Sequence, residues 1–153
     1  MNEHRYGSRM TDAELVTFLV ERGVGVLSLS RDGTSYGVPV SYGYDPDTDR
    51  CLLDLGFGPE SRKRSFIETT TVACLTVFEW SSPTDWQSAV VTGTLRTVDT
   101  ELNASMEELY YDFAKDIDIS VFDRPPDDIE LQWYEFEIED RSGRRSRNSQ
   151  STG

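Results

Sequence analysis

The chain has 153 residues, enough for one domain with its own core, and a formal net charge of -13 at pH 7. Charge of that sign repels phosphate backbones and anionic headgroups, which excludes nucleic acid and membrane surfaces as partners. Only 37% of residues are hydrophobic and mean hydropathy is -0.52, yet an aromatic share of 11% excludes a disordered chain. The core must be aromatic-rich and compact, supplemented by an interface with another copy.

Residues 1–10 are polar and read as a flexible N-terminus. Thr11-Asp12-Ala13-Glu14 reads as a capping box that starts a helix over 12–22, with Leu15, Phe18 and Leu19 on one face and Gly23 as its stop. A strand is expected at Val24–Ser30, and Asp32-Gly33 is the signal of a tight hairpin. The return strand runs over Tyr36–Tyr44, a turn follows at Asp45–Asp49, and the third strand covers Cys51–Leu55.

Further on, a helix is expected over 60–69, with Phe66 and Ile67 as its buried side. Thr69-Thr70-Thr71 favours extended backbone, so a strand follows from Thr71 to Trp80. Trp86–Val98 is the longest strand, interrupted at Gly93 by a bulge or a close approach. The pattern Leu102, Met106, Leu109, Phe113 predicts a helix over 100–115. Ile129–Glu139 is the sixth strand, with a change of face near Tyr134. The folded domain is expected over 11–140, and the Arg-, Ser- and Gly-rich 141–153 as a disordered tail. Six strands joined mainly by hairpins, with short flanking helices, read as a mainly β fold, a six-stranded antiparallel barrel.

No run reaches the roughly 20 apolar residues that cross a bilayer, and the N-terminus carries no signal-peptide pattern. The expected location is therefore cytoplasmic. Cys51 and Cys74 lie in apolar strand patterns and read as reduced core thiols, with no metal-site spacing around them.

Three pieces carry the functional signal, in this order: Val38-Pro39-Val40-Ser41-Tyr42, then Ser61-Arg62-Lys63 behind a Gly56-Phe57-Gly58-Pro59 loop, then Trp86-Gln87-Ser88 leading into Val91-Thr92-Gly93. A hydroxyl, two cations and free backbone N–H groups at a helix start suit a phosphate. Lys63 is one of only two lysines in the chain. The competing reading of Arg62 and Lys63 is a solvated helix face. Pro39 inside a strand fits an edge or a ligand-facing break in the ladder.

This order of parts resembles the FMN-binding split β-barrel of the pyridoxamine 5'-phosphate oxidase superfamily, and within it the nitroimidazole-resistance-like branch. The resemblance implies that Ser61, Arg62 and Lys63 hold the FMN phosphate. It also implies that Val38, Pro39, Val40 and Ser41 line the isoalloxazine ring, and that Gly56 and Phe57 pass over it. A second subunit of a homodimer would bring Trp86, Gln87 and Ser88. Two departures narrow the activity. The second strand has neither arginine nor lysine, so pyridoxamine phosphate oxidation is not expected. The loop after the third strand has no histidine; the only one in the chain is His4.

No catalytic acid or base stands out, and Glu107-Glu108 and Asp127-Asp128 read as charged surface. A flavoprotein is compatible with that, because the cofactor carries the hydride chemistry. The expected function is a flavin-dependent oxidoreductase of a small-molecule substrate. The same fold also accommodates the deazaflavin F420, haem, or a non-catalytic flavin-binding stress module.

Of the 15 cationic side chains only two are lysine. Acidic, lysine-poor surfaces suit halophilic proteins, because molar salt screens the self-repulsion; the alternative is an ordinary acidic mesophilic domain. On the halophilic reading, thermal stability should rise from low to molar salt. A melting temperature that is the same in both would leave the alternative standing.

Overall fold

The capping box at Thr11 forms as the sequence implies. Thr11 Oγ1 accepts from the Glu14 backbone N–H at 3.2 Å, and Glu14 Oε1 accepts from the Thr11 N–H at 2.8 Å. Together they open helix α1 (Asp12–Arg22), which Gly23 closes with a left-handed backbone at φ 68°. Leu15, Phe18 and Leu19 are buried on its inner face. The computed structural model describes residues 7–58, 62–98, 106, 108, 110–111 and 130–147.

The strands are β1 (Ser8–Arg9), β2 (Val24–Arg31), β3 (Thr34–Asp45), β4 (Arg50–Phe57), β5 (Ala73–Ser82), β6 (Asp85–Thr97) and β7 (Glu130–Arg145), with α2 (Arg62–Thr69) between β4 and β5. All pairings are antiparallel, and β7 pairs with both β4 and β6. The order β7-β4-β3-β2-β5-β6 therefore closes into a ring of the six expected strands, and β1 adds a short rung on β7. Asp32 at φ 48° and Gly33 at φ 81° make the two-residue turn between β2 and β3.

Alternation fills the inside. Leu27, Leu53, Leu75, Val77, Val91 and Phe136 are fully enclosed, and so are the rings of Tyr42 and Tyr44. Tyr42 OH donates to the Leu19 carbonyl at 2.7 Å, which ties the last turn of α1 to the barrel. At the far end of β7, Arg141 donates to Asp12 at 2.8 Å and to Tyr44 OH at 2.9 Å. Arg145 pairs with Glu14 at 2.8 Å.

These last contacts correct the expected end of the sixth strand. It runs to Arg145 rather than Glu139, so residues 141–145, assigned to the tail by their composition, are rungs paired with β6. A charge-rich strand end reads as a tail from sequence, because its partners are ion pairs on a distant helix. Cys74 is also not a core thiol: it is half-buried, whereas Cys51 is enclosed. Met106, Glu108, Tyr110 and Tyr111 are helical, and the rest of the helix expected over 100–115 lies outside the described residues. So do residues 1–6 of the expected N-terminal segment and residues 148–153 of the tail.

Gly93 combines both readings made of it. Thr92 pairs with Asp140 but Gly93 with Ile138, so Glu139 is an extra residue in β7. Tyr134 and Phe136 are buried before this bulge and Gly143 after it, a change from even to odd positions. A Cβ on Gly93 would stand 2.0 Å from the Glu137 carbonyl oxygen, which is backbone and cannot swing aside. Gly93→Ala should therefore destabilise the fold by about 1–3 kcal/mol, the range of overpacking. Gly37→Ala, where the nearest atom is a Val26 methyl at 3.5 Å, should be neutral. Urea denaturation of the two variants checks the contrast.

Candidate functional site

The ring is not evenly paired. Thr34–Ser41 of β3 pair with β2, whereas Tyr42–Asp45 pair with β4. The β4 ladder to β3 stops at Leu53, so Asp54–Phe57 are paired only to β7. Between these two free edges the barrel is split. Pro39 sits on the free edge of β3, where its missing N–H costs no ladder bond to β4.

Helix α2 follows the split. Tyr36 stacks on Phe66 at 5.2 Å between ring centroids, and the Arg62 guanidinium lies over both rings, 5.5 and 5.8 Å from their centroids. Arg31 donates to Ser65. Arg62 is exposed and makes no ion pair among the described residues. Ser61, the hydroxyl of the expected triplet, lies outside the described residues.

Lys63 does not face solvent. Its side chain is 8% exposed and Nζ donates to the Gly56 carbonyl at 2.7 Å, 5.5 Å from the centroid of Phe57. Burial pulls its ammonium below the ordinary lysine range. Lys63 therefore fixes the end of β4 against α2. Arg64, not singled out from sequence, lies 4.5 Å from the Phe57 ring centroid.

The other expected residues divide by face. Val40 and Phe57 are buried in the interior, and Val38 packs against the core, so only their backbones reach the split. Pro39, Ser41 and Gly56 belong to the outer face, where Ser41 is nevertheless buried. Trp86, Gln87 and Ser88 are at the opposite end of the barrel: Gln87 pairs with Arg145, while Phe57 pairs with Glu130, the two ends of the 16-residue β7. A single chain does not bring them to Arg62 and Lys63.

Asp54 was missed by the sequence reading. It is an acidic residue inside an apolar run, Cys51-Leu52-Leu53-Asp54-Leu55, which was the available signal. It lies between Ser41, across the split, and Gly56, two residues on. Its Oδ1 is shielded from solvent without a hydrogen-bond partner among the described residues. Burial pushes its carboxyl up to about 6. A carboxyl raised on folding opposes folding while ionised, so the penalty stands at neutral pH and fades as pH falls from about 6 into the ordinary carboxylate range.

A separate cavity of about 250 Å³ lies over the outer face between Leu52 and Met106. None of the expected site residues among those described lines it. No group of three or more His, Cys, Asp or Glu among the described residues is placed to hold a metal ion. No helix among them is long and apolar enough to cross a membrane.

Residues 11–145 match the family model described as pyridoxamine 5'-phosphate oxidase. No curated protein matches the chain. Among solved structures, the FAD-binding protein of Mycobacterium smegmatis superposes with a TM-score of 0.64 at 15% identity, over 91% of this chain and 98% of that one. A candidate 5-nitroimidazole antibiotic resistance protein of Bacteroides thetaiotaomicron gives 0.62 at 15% identity, over 89% and 85%. The heme-binding protein of Mycobacterium smegmatis gives 0.60 at 14% identity, over 88% of this chain and 54% of that one. At these identities the likeness is one of fold.

Proposed function

The chain belongs to the pyridoxamine 5'-phosphate oxidase family, and on that footing we propose that it binds FMN at the split between β3 and β4, as a homodimer, and serves as a flavin-dependent oxidoreductase of a small organic molecule. The observation that carries the reading is the placing of α2. Its first turn brings the exposed Arg62 guanidinium to the free edge of the barrel. In a chain of net charge -13 that is an unusual place for an anion to be welcome. Arg62 would hold the phosphate, and Lys63 would keep the Gly56 backbone in position under the ring. Flavin, when bound, supplies the hydride chemistry, and the chain supplies binding and orientation. Thr34–Asp45 contains no arginine or lysine. A phosphorylated substrate therefore finds no cation on β3.

The division of labour between the two cations is testable by flavin fluorescence titration. Arg62→Ala should weaken FMN by about tenfold or more, the worth of one charge-assisted hydrogen bond, and leave riboflavin unchanged. Lys63→Ala should weaken both ligands, because it acts through Gly56 and not through the phosphate. Equal FMN affinity in Arg62→Ala and wild type would remove the phosphate site. A visible spectrum of the loaded protein separates flavin from the two alternatives, F420 and haem.

The second copy is supported by the outer face of the sheet. Pro39, Val26, Thr76 and Val90 lie side by side across β3, β2, β5 and β6. Phe78 at 61% and Trp80 at 63% exposure continue that face, opposite Ser88 and Trp86. Isolated exposed apolar side chains are ordinary, but a continuous run marks an interface. Two copies meeting there would carry Trp86, Gln87 and Ser88 of one toward Pro39 and Ser41 of the other. Trp80→Asp should then yield a monomer by light scattering and lose FMN binding together with it. A wild-type monomer at micromolar concentration in molar salt would refute the shared site.

A further inference from the structure

We propose that Asp54 accepts a hydrogen bond from a ring N–H of the bound flavin, and so selects for an imide-bearing ring at the split. The inference rests on the flavin reading and deepens it. A carboxylate oxygen out of water and without a donor costs free energy in the free protein, and such a group calls for a partner that arrives later. Asp54 occupies the first position of β4 past the last β3 rung, between Ser41 and Gly56, so the partner must enter through the split. Oxidised flavin has a single ring N–H, the imide at N3, flanked by two carbonyls. F420 carries the same imide, and haem offers no equivalent donor.

Among the described residues no cationic side chain pairs with Asp54: on α2, Arg62 lies over Tyr36 and Phe66 and Arg64 over Phe57. On α2, Lys63 is held on the Gly56 carbonyl, and the cation of Arg50 on β4 pairs with Glu135 of β7. β3 presents Ser41, the rung opposite Asp54 on β7 is Trp133, and Tyr110 packs on that indole at 4.8 Å. Glu108 is exposed on the helical segment. Burial alone raises the carboxyl to about 6. An N–H donor favours the ionised form, so binding should weaken as Asp54 is protonated.

The test titrates FMN and 3-methyl-FMN, which lacks the imide proton, into wild type and Asp54→Asn at pH 8 and pH 5. Wild type should lose about tenfold in FMN affinity between pH 8 and pH 5, as protonation at about 6 leaves roughly a tenth ionised. Asp54→Asn should bind FMN more weakly at pH 8 and show a clearly smaller loss, what remains being the titration of the FMN phosphate near about pH 6. In wild type, 3-methyl-FMN should bind at least tenfold more weakly than FMN, a result that needs no variant. Equal affinity of wild type for the two flavins, or the same pH profile in both proteins, would overturn the role of Asp54 while leaving FMN binding intact. Absence of binding by either flavin to wild type would overturn the flavin reading and this inference with it.

Discussion

Everything at the site depends on a change of partner in one strand. β3 gives its first eight residues, Thr34–Ser41, to β2 and its last four, Tyr42–Asp45, to β4. A strand can make this switch only where something fixes it on both sides. Here the Tyr42 N–H donates to the Gly23 carbonyl at 3.0 Å, and the Tyr42 hydroxyl reaches the Leu19 carbonyl at 2.7 Å. The end of α1 therefore pins the point where the barrel opens. Burial raises the Tyr42 phenol well above its ordinary range, so it is a neutral donor at neutral pH. Downstream of that pin, the free edges of β3 and β4, the position of Asp54 and the docking of α2 all follow.

Cations are scarce in this chain, and their placing separates structural from available charge. Arg22, Arg50, Arg141 and Arg145 each meet a carboxylate on another element. These pairs are partly exposed, and each contributes modestly. Together they hold the end of β7 and the rim of the barrel in a protein whose acidic excess would otherwise drive those parts asunder. Lys63 is structural too, on a backbone carbonyl. Arg62 rests on aromatic faces, an attachment that leaves its five N–H donors open to an anion.

The fold was legible because its signals are local. The Thr11 capping box, the Asp32-Gly33 turn and period-two alternation placed α1 and the barrel strands to within a few residues, the far end of β7 excepted. Register was legible only as a disturbance at Gly93: that the extra residue is Glu139, on the partner strand, depends on a pairing distant in the chain. Of the residues expected at a site, the chain places Ser41, Gly56 and Arg62 around one split. Lys63 illustrates the limit. Its scarcity marked it as notable, but whether a lysine at a helix start points to solvent or to a strand end depends on a contact seven residues back in the chain. Asp54 went unnoticed because acidic residues are so common here that one more carried little weight, although its position in an apolar run set it apart.

The packing of the interior decides where a ligand can lie. Tyr42, Tyr44, Phe57 and Phe136 are enclosed in the barrel, with Leu53, Leu75 and Val91 beside them. A tricyclic ring cannot enter such a core without displacing several of these side chains, each worth about 1.5–3 kcal/mol of burial or more. On the proposed reading a flavin would therefore rest on the outer face, along the split, where Pro39 and Gly56 offer little side chain to obstruct it. A ring lying on an open sheet face buries only one of its sides, too little for tight binding. Cover from a second surface is required, and the exposed Phe78, Trp80 and Val90 place an apolar one on the continuation of that same face. On the proposed reading, the closed interior, the open edge and the exposed outer face are one arrangement, in which a ligand is held outside the core and a second copy would supply its cover.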